Sequence, residues 1–515
     1  MSRFFNTAGP CRPDDHYMLP PERRIADIRT LVDQKAYFVL HAPRQCGKTT
    51  ALLTLAQQLT AEGRYAALLV TVETGEPHGE NPGAAEGVSL DDWRSSARAF
   101  LPADLQPPPW PDAEDGRRIG AALEAWCRAC PRPLVLFVDE ADALRDQALV
   151  TLLRQLRAGF PRRPEAFPWS LALIGLRDVR DYKVATGGTS RLGTSSPFNI
   201  KTDSLTLENF THDDVAELYG QHTTDTGQVF TPDAVARAFH LTQGQPWLVN
   251  ALARQLTEKL VTNRTQSITA ADVDRAKDIL IQRQDTHLDS LAERLREPRV
   301  RAVMEPILAG GVLPPLPQDD LRFVLDLGLL RQTTGGVEVA NPIYAEIIPT
   351  ILAYVTRASL PSIQPTWLTP DGRLDADKLL SAFLAFWRQH GEPLMGTAHY
   401  HEIAPHLVLM AFLHRVVNGG GSIDREYAIG RGRMDLLVQM GPDRLAMELK
   451  VWRDGEPDPV DDGLAQLDGY LEGLGLPTGW LVVFDRRPNL PRMAQRTASA
   501  TATTPAGRSV VVVRA

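Results

Sequence analysis

The chain is short of cysteine, with four in 515 residues, which excludes the disulfide framework that holds small secreted domains together. It also lacks long apolar runs: none approaches the roughly 18 residues that cross a bilayer, and the opening MSRFFNTAGP has no signal-peptide pattern. A cytoplasmic protein with no membrane partner is expected. An excess of basic charge is missing too. The formal net charge of −8 excludes coating of nucleic acid by bulk charge and leaves only a local basic groove. What remains, 43% hydrophobic and 23% charged residues, is ordinary for folded protein, and the length suits about three or four domains.

The most informative stretch is His41 to Thr50, HAPRQCGKTT. It follows the strand-like run Ala36–Leu40 and precedes the helical pattern that begins at Ala51, which is the setting of a phosphate-cradling loop. Backbone N–H groups of the loop, with the helix N-terminus, suit a triphosphate. The expected nucleotide contacts are Pro43, Arg44, Gln45, Cys46, Gly47, Lys48, Thr49 and Thr50, with Lys48 on the β/γ oxygens and Thr49 on Mg²⁺. Ala42 stands where the pattern has its first glycine, whereas Gly47 is kept where the backbone comes closest to phosphate.

Leu134–Val138 is a continuous apolar run ending in Asp139-Glu140, as a strand buried on both faces would read. Asp139 is expected in the Mg²⁺ shell with Thr49, and Glu140 as the general base that polarises the attacking water. Both acids fall at the C-terminal end of the strand, where ligands of open α/β sheets bind. A third run, Ser170–Leu176, leads directly into Arg177, either a γ-phosphate contact or a surface arginine at a strand end.

The segments PDDHYMLPPERR, APRQCGKTT, VLFVDEADAL, LIGLRD and GQPWLVNALARQL together resemble the AAA-like and STAND-like P-loop ATPases of bacteria and archaea, over roughly half the chain. The resemblance implies a parallel α/β sheet with a helical lid, ATP and Mg²⁺ as cofactors, and an entry segment near the base, where Tyr17 and Arg24 are candidate contacts.

Of the cysteines, Cys127 and Cys130 form a C-x-x-C at the end of a helical pattern with no second pair, so buried helical cysteines are expected in place of a zinc site. Cys46 lies in the loop itself, where a helix N-terminus would lower a thiol pKa and oxidation would block nucleotide. Thr74–Gly87 and Leu101–Gly116 read as loop-like insertions. Capping signals at Thr211-His212-Asp213-Asp214 and Thr231-Pro232-Asp233 open a helical region. A Gly335-Gly336 turn between short strand-like runs suits a winged helix, although its helix QDDLRFVLDLG is acidic where phosphate contacts need the opposite sign. The resulting division is 1–205 ATPase core, 206–287 lid, 288–357 winged-helix-like module, 358–395 linker and helix, and 396–515 a second α/β domain.

In that last segment the runs Arg433–Gln439 and Leu445–Val451 flank a Gly441-Pro442-Asp443 turn. Side chains alternate along a strand, so Glu448 and Lys450 share a face, and a hairpin brings Asp435 beside them. Asp435 and Glu448 would hold a divalent metal, and Lys450 would orient water or stabilise the transition state. This stretch resembles the PD-(D/E)xK nucleases, with their restriction-endonuclease-like fold. The likeness implies Glu402 as an upstream acid and Gln466 with Tyr470 as a Q-x-x-x-Y element. His399, His401 and His406 have no zinc-helix spacing, and Arg431 and Arg433 are candidate phosphate contacts.

Two active centres in series are thus expected: an ATP-hydrolysing P-loop part that controls a Mg²⁺-dependent nuclease acting on nucleic acid, DNA before RNA. The alternative is an ATP-dependent switch or scaffold whose C-terminal fold only binds. A homo-oligomer and a protein trigger stay open, and the resemblance fits a role in bacterial defence.

Overall fold

Five apolar segments in the N-terminal part pair side by side: β1 (Tyr37–His41), β2 (Ala66–Thr71), β3 (Leu134–Asp139), β4 (Ser170–Gly175) and β5 (Asp203–Thr206). Their order is β2-β3-β4-β1-β5, and every pairing is parallel. The computed structural model describes residues 3–144, 146–175, 203–283, 291, 293–308, 317–359, 366–397, 404–417, 421–426 and 435–515. Alternation along each strand feeds two cores. Tyr37, Val39, Leu136, Val138 and Leu171 pack on one face, and Phe38, Leu40, Val135, Phe137 and Ala172 on the other. Burying both faces is what makes these strands read as unbroken apolar runs, and each buried large side chain contributes about 1.5–3 kcal/mol.

The helix Lys48–Ala61 lies against the second face through Leu52, Leu55 and Leu59, residues three and four apart that share one side of a helix. The other face is covered by helices Pro82–Phe100, Arg118–Ala129 and Asp146–Gly159. The first of these corrects the loop reading of Thr74–Gly87. Asn81 accepts the Ala84 N–H at 3.1 Å and Pro82 occupies the first helical turn, so the proline and glycines start a helix there. Cys127 and Cys130 pack partly buried against this core, and burial pushes both thiols up.

Helices His212–Thr226, Pro232–Thr242, Pro246–Gln255 and Ala270–Arg283 follow. Thr211 and Asp214 form a reciprocal cap, each taking the other's backbone N–H at 3.1 and 2.9 Å, and Thr231 caps the next helix. The break between the second and third has a steric cause. Gly244 sits at φ +71°, and a Cβ there would lie 1.8 Å from the Phe210 carbonyl oxygen, so only glycine fits. Gln245 then caps the following helix by accepting the Leu248 N–H at 2.6 Å.

The chain divides into two compact units, one of Met1–Gln282 with Arg322–Leu330, the other of Arg283–Leu321 with Arg331–Ala515. Near that division β6 (Leu330–Thr333) and β7 (Gly336–Val339) form a two-stranded sheet after the helix Gln318–Asp326. The second unit is built on β8 (Ser422–Glu426), β9 (Asp435–Met440), β10 (Asp443–Trp452), β11 (Gly479–Asp485), β12 (Ala498–Thr503) and β13 (Ser509–Arg514). They run in the order β12-β13-β11-β10-β9-β8. The centre, β10-β11-β13, is parallel, and β9, β8 and β12 are antiparallel to their neighbours. Helix Val460–Leu474, which connects β10 to β11, covers one face through Leu467 and Leu471. Among the described residues no helix is long and apolar enough to cross a membrane.

Candidate functional site

The turn after β1 takes its shape from two residues in the left-handed region, Gln45 (φ +58°) and Gly47 (φ +89°). Ala42 is not one of them; it is buried and donates its N–H to the Gly175 carbonyl at 3.2 Å. Alanine is tolerated there because the strain falls three residues later. Lys48 is buried, and its Nζ donates to the carbonyls of Ala42 (2.7 Å) and Pro43 (3.0 Å). The ammonium therefore stays inside the loop, held by groups that phosphate oxygens can replace.

β3 brings the acids to the same place. Asp139 is buried; its Oδ2 accepts from Thr49 Oγ1 at 2.8 Å and its Oδ1 from the Glu140 N–H at 3.0 Å. A hydroxyl and a carboxylate converging in this way form the hard-oxygen donor set that Mg²⁺ takes. Glu140 lies in the left-handed region at φ +53°. Its carboxyl is pushed up, first by burial and then by the charges of Asp142 and Asp139, a direction suited to proton acceptance near neutrality. β4 lies between β1 and β3 in the sheet, and Arg177, expected just beyond it, falls outside the described residues.

Lys48, Thr49 and Glu140 border one cavity of about 420 Å³. Arg44, Gln45, Gly47, Lys48, Thr49, Thr50 and Glu140 line one part of it, with Glu73. Walls that the sequence did not reveal come from Asn6–Cys11, Phe210, Trp247 and Asn250. Trp247 and Asn250 fall in the flagged segment GQPWLVN, yet only tertiary folding makes them a wall. The N-terminal segment is tied down on both sides: the Cys11 N–H donates to Thr50 Oγ1 (3.0 Å) and Trp247 Nε1 to the Thr7 carbonyl (2.9 Å).

Several expectations are refined. Arg24 borders the cavity, but its guanidinium donates to the Cys46 carbonyl at 2.8 Å and to the Glu208 carbonyl, so it braces the loop. Tyr17 is buried against Phe5 and lines the cavity. Cys46 is 1% exposed and belongs to the core; oxidation would first require the loop to open.

In the second unit Glu448 is buried, and Lys450 Nζ lies 2.7 Å from its Oε1. Among the described residues no other donor reaches the Glu448 oxygens. Lys450 Nζ also donates to Gln466 Oε1 on the helix Val460–Leu474. Glu448 and Lys450 therefore share a face, as alternation requires, and Gln466 meets Lys450 from the helix. The β9–β10 register pairs Leu436 with Met447, and one further step would set position 435 opposite Glu448. The side chain of Asp435, and the whole of Glu402, His399, His401, Arg431 and Arg433, lie outside the described residues. Tyr470 packs partly buried against the sheet, and His406 is buried edge-on to Phe484. Among the described residues no group of three or more His, Cys, Asp or Glu could hold a metal. A buried carboxylate whose only partner is one lysine is nonetheless a donor of the kind a divalent cation takes.

Residues 31–182 match the family described as an AAA domain. No curated protein matches the chain. Among solved structures, a Walker-type ATPase (PABY2304) of Pyrococcus abyssi is similar at 14% identity and TM-score 0.48, covering 67% of this chain and 99% of that one. The RuvB Holliday junction branch migration motor of Thermotoga maritima is similar at 15% and 0.35, covering 64% and 93%. Cdc6p of Pyrobaculum aerophilum is similar at 12% and 0.36, covering 64% and 93%. The family match and the parallel five-stranded sheet with its loop and acids support the P-loop ATPase reading of the first unit.

Proposed function

We propose that the first unit binds ATP with Mg²⁺ and hydrolyses it, and that this cycle controls a Mg²⁺-dependent nuclease in the second unit acting on nucleic acid, DNA before RNA. The observation that carries the first half is Thr49 Oγ1 on Asp139 Oδ2 at 2.8 Å, with Lys48 and Glu140 bordering the same cavity. When bound, Mg²⁺ neutralises charge on the β- and γ-phosphates. Lys48 leaves its loop carbonyls for phosphate oxygens, and Glu140, kept basic by burial, takes a proton from the attacking water. Arg177 is proposed at the γ-phosphate from the end of β4. The helical segment 206–287 acts as the lid, and 288–357 as a winged-helix-like arm.

The second half rests on Glu448, Lys450 and Gln466 meeting on one sheet face. Asp435 and Glu448 would supply metal oxygens and Lys450 would stabilise the charge that develops on phosphate; Glu402 completes the acid set. The test is cleavage of plasmid, single-stranded DNA and RNA with Mg²⁺, with and without ATP. Glu448→Gln should abolish cutting while ATP binding stays intact; unchanged cutting in that variant would sink the assignment. A second reading, a switch whose C-terminal unit only binds, is favoured by the Lys450 ion pair, which already neutralises the Glu448 charge. It predicts no cutting of any substrate with any nucleotide.

A further inference from the structure

Asn250, in the lining of the first unit's cavity, carries a buried polar atom without a partner. Asn250 lines the cavity and is 8% exposed. Its Nδ2 donates to the Pro246 carbonyl at 2.9 Å. A carbonyl can only accept, so this bond fixes which way the amide faces. The Oδ1 on the other side is shielded from solvent and receives no hydrogen bond. Such an orphaned acceptor costs about 1–3 kcal/mol, a cost that a bound ligand can remove. Leu218, Phe210, Pro246 and Trp247 are apolar members of the same cavity lining, of a kind suited to the flat face of a purine.

We infer that Asn250 is the residue that selects adenine, its Oδ1 accepting a hydrogen bond from the exocyclic 6-amino group. Adenine presents a donor at that position and guanine an acceptor. Because the Pro246 carbonyl holds the amide, Asn250 does not turn its Nδ2 to meet guanine; two acceptors would face each other. The base takes up this bond as the N-terminal segment and the Pro246–Gln255 helix settle about it. The inference rests on the ATP reading of the same cavity and adds which residue recognises the base.

The experiment is equilibrium binding to the full chain, with Mg²⁺, of ATP, GTP, purine riboside triphosphate (which lacks the 6-amino group) and 2′-deoxy-ATP. The expected result is that ATP binds about 10- to 100-fold more tightly than purine riboside triphosphate, that GTP is weaker than ATP by at least the same factor, and that 2′-deoxy-ATP stays within about threefold of ATP. Asn250→Ala should bring ATP down to the purine riboside level and leave the latter unchanged. Equal binding of ATP and purine riboside triphosphate by the unaltered protein overturns the inference, with no variant needed. A loss confined to 2′-deoxy-ATP also overturns it, by placing Oδ1 on the ribose. Failure of all four to bind overturns the nucleotide reading itself, an outcome distinct from loss of selectivity.

Discussion

The two acidic sites handle a buried carboxylate in opposite ways. Asp139 has a neutral hydroxyl on one oxygen and a backbone N–H on the other, while Glu448 has only the charge of Lys450, itself shared with Gln466. A carboxylate held by neutral donors keeps its geometry when one donor is exchanged for a metal or phosphate oxygen. One held by a single buried cation depends on that cation for folding as well as for chemistry. Function and stability should therefore separate in the first site and be entangled in the second.

Substitutions can break that contrast. The largest effect is expected from Glu140→Gln, which should lower ATP turnover by about 100- to 10,000-fold with ATP affinity and urea stability nearly unchanged, as steady-state kinetics and calorimetry would show. An equal loss of stability would mean that the two sites are alike after all. Next comes Lys450→Ala. It strands Glu448 in the core and should cost the second unit about 3–5 kcal/mol in urea unfolding, whereas Lys450→Ala combined with Glu448→Gln should recover most of the loss. If the single variant is as stable as the parent, Glu448 is not the buried, dependent charge described.

Smaller effects concern the helix His212–Thr226, whose Leu218 lines the cavity. Thr211→Ala removes the reciprocal cap with Asp214 and should cost about 1 kcal/mol in thermal melts, with turnover retained. The smallest is pH-linked. Burial holds the His222 pKa below its ordinary value, against the hydrogen bond that its Nε2 gives to Gln228 Oε1, beside Phe5, Tyr17 and Phe230. The unfolded chain then takes up a proton that the folded one refuses. Stability should be full above about pH 6.5 and decline as pH falls from there toward the lower folded value. His222→Gln should flatten that slope; an unchanged slope would assign it to other groups.

Much of the first site was legible because its parts are contiguous. Lys48-Thr49 follow the loop after one apolar run and Asp139-Glu140 close another, and burial on both sheet faces is what writes such runs into sequence. Thr74–Gly87 misled because Gly, Pro and Asn mark helix starts as well as loops, and Asn81-Pro82 is a start. The walls from Asn6–Cys11 and Asn250 were not legible, since nothing local records which distant segment will close over a loop. In the second unit, alternation sufficed to bring Glu448 and Lys450 together, but it could not tell that the lysine would bind the glutamate instead of facing solvent.

The central claim is that nucleotide held in the first unit governs cutting by the second, and the most direct measurement is the rate of Mg²⁺-dependent DNA cleavage with ATP in the parent chain and in Lys48→Ala. The account predicts cleavage that responds to ATP in the parent, a response that disappears in Lys48→Ala, and no cleavage in Glu448→Gln. Cleavage at one unchanging rate with or without ATP, and in Lys48→Ala alike, would contradict it.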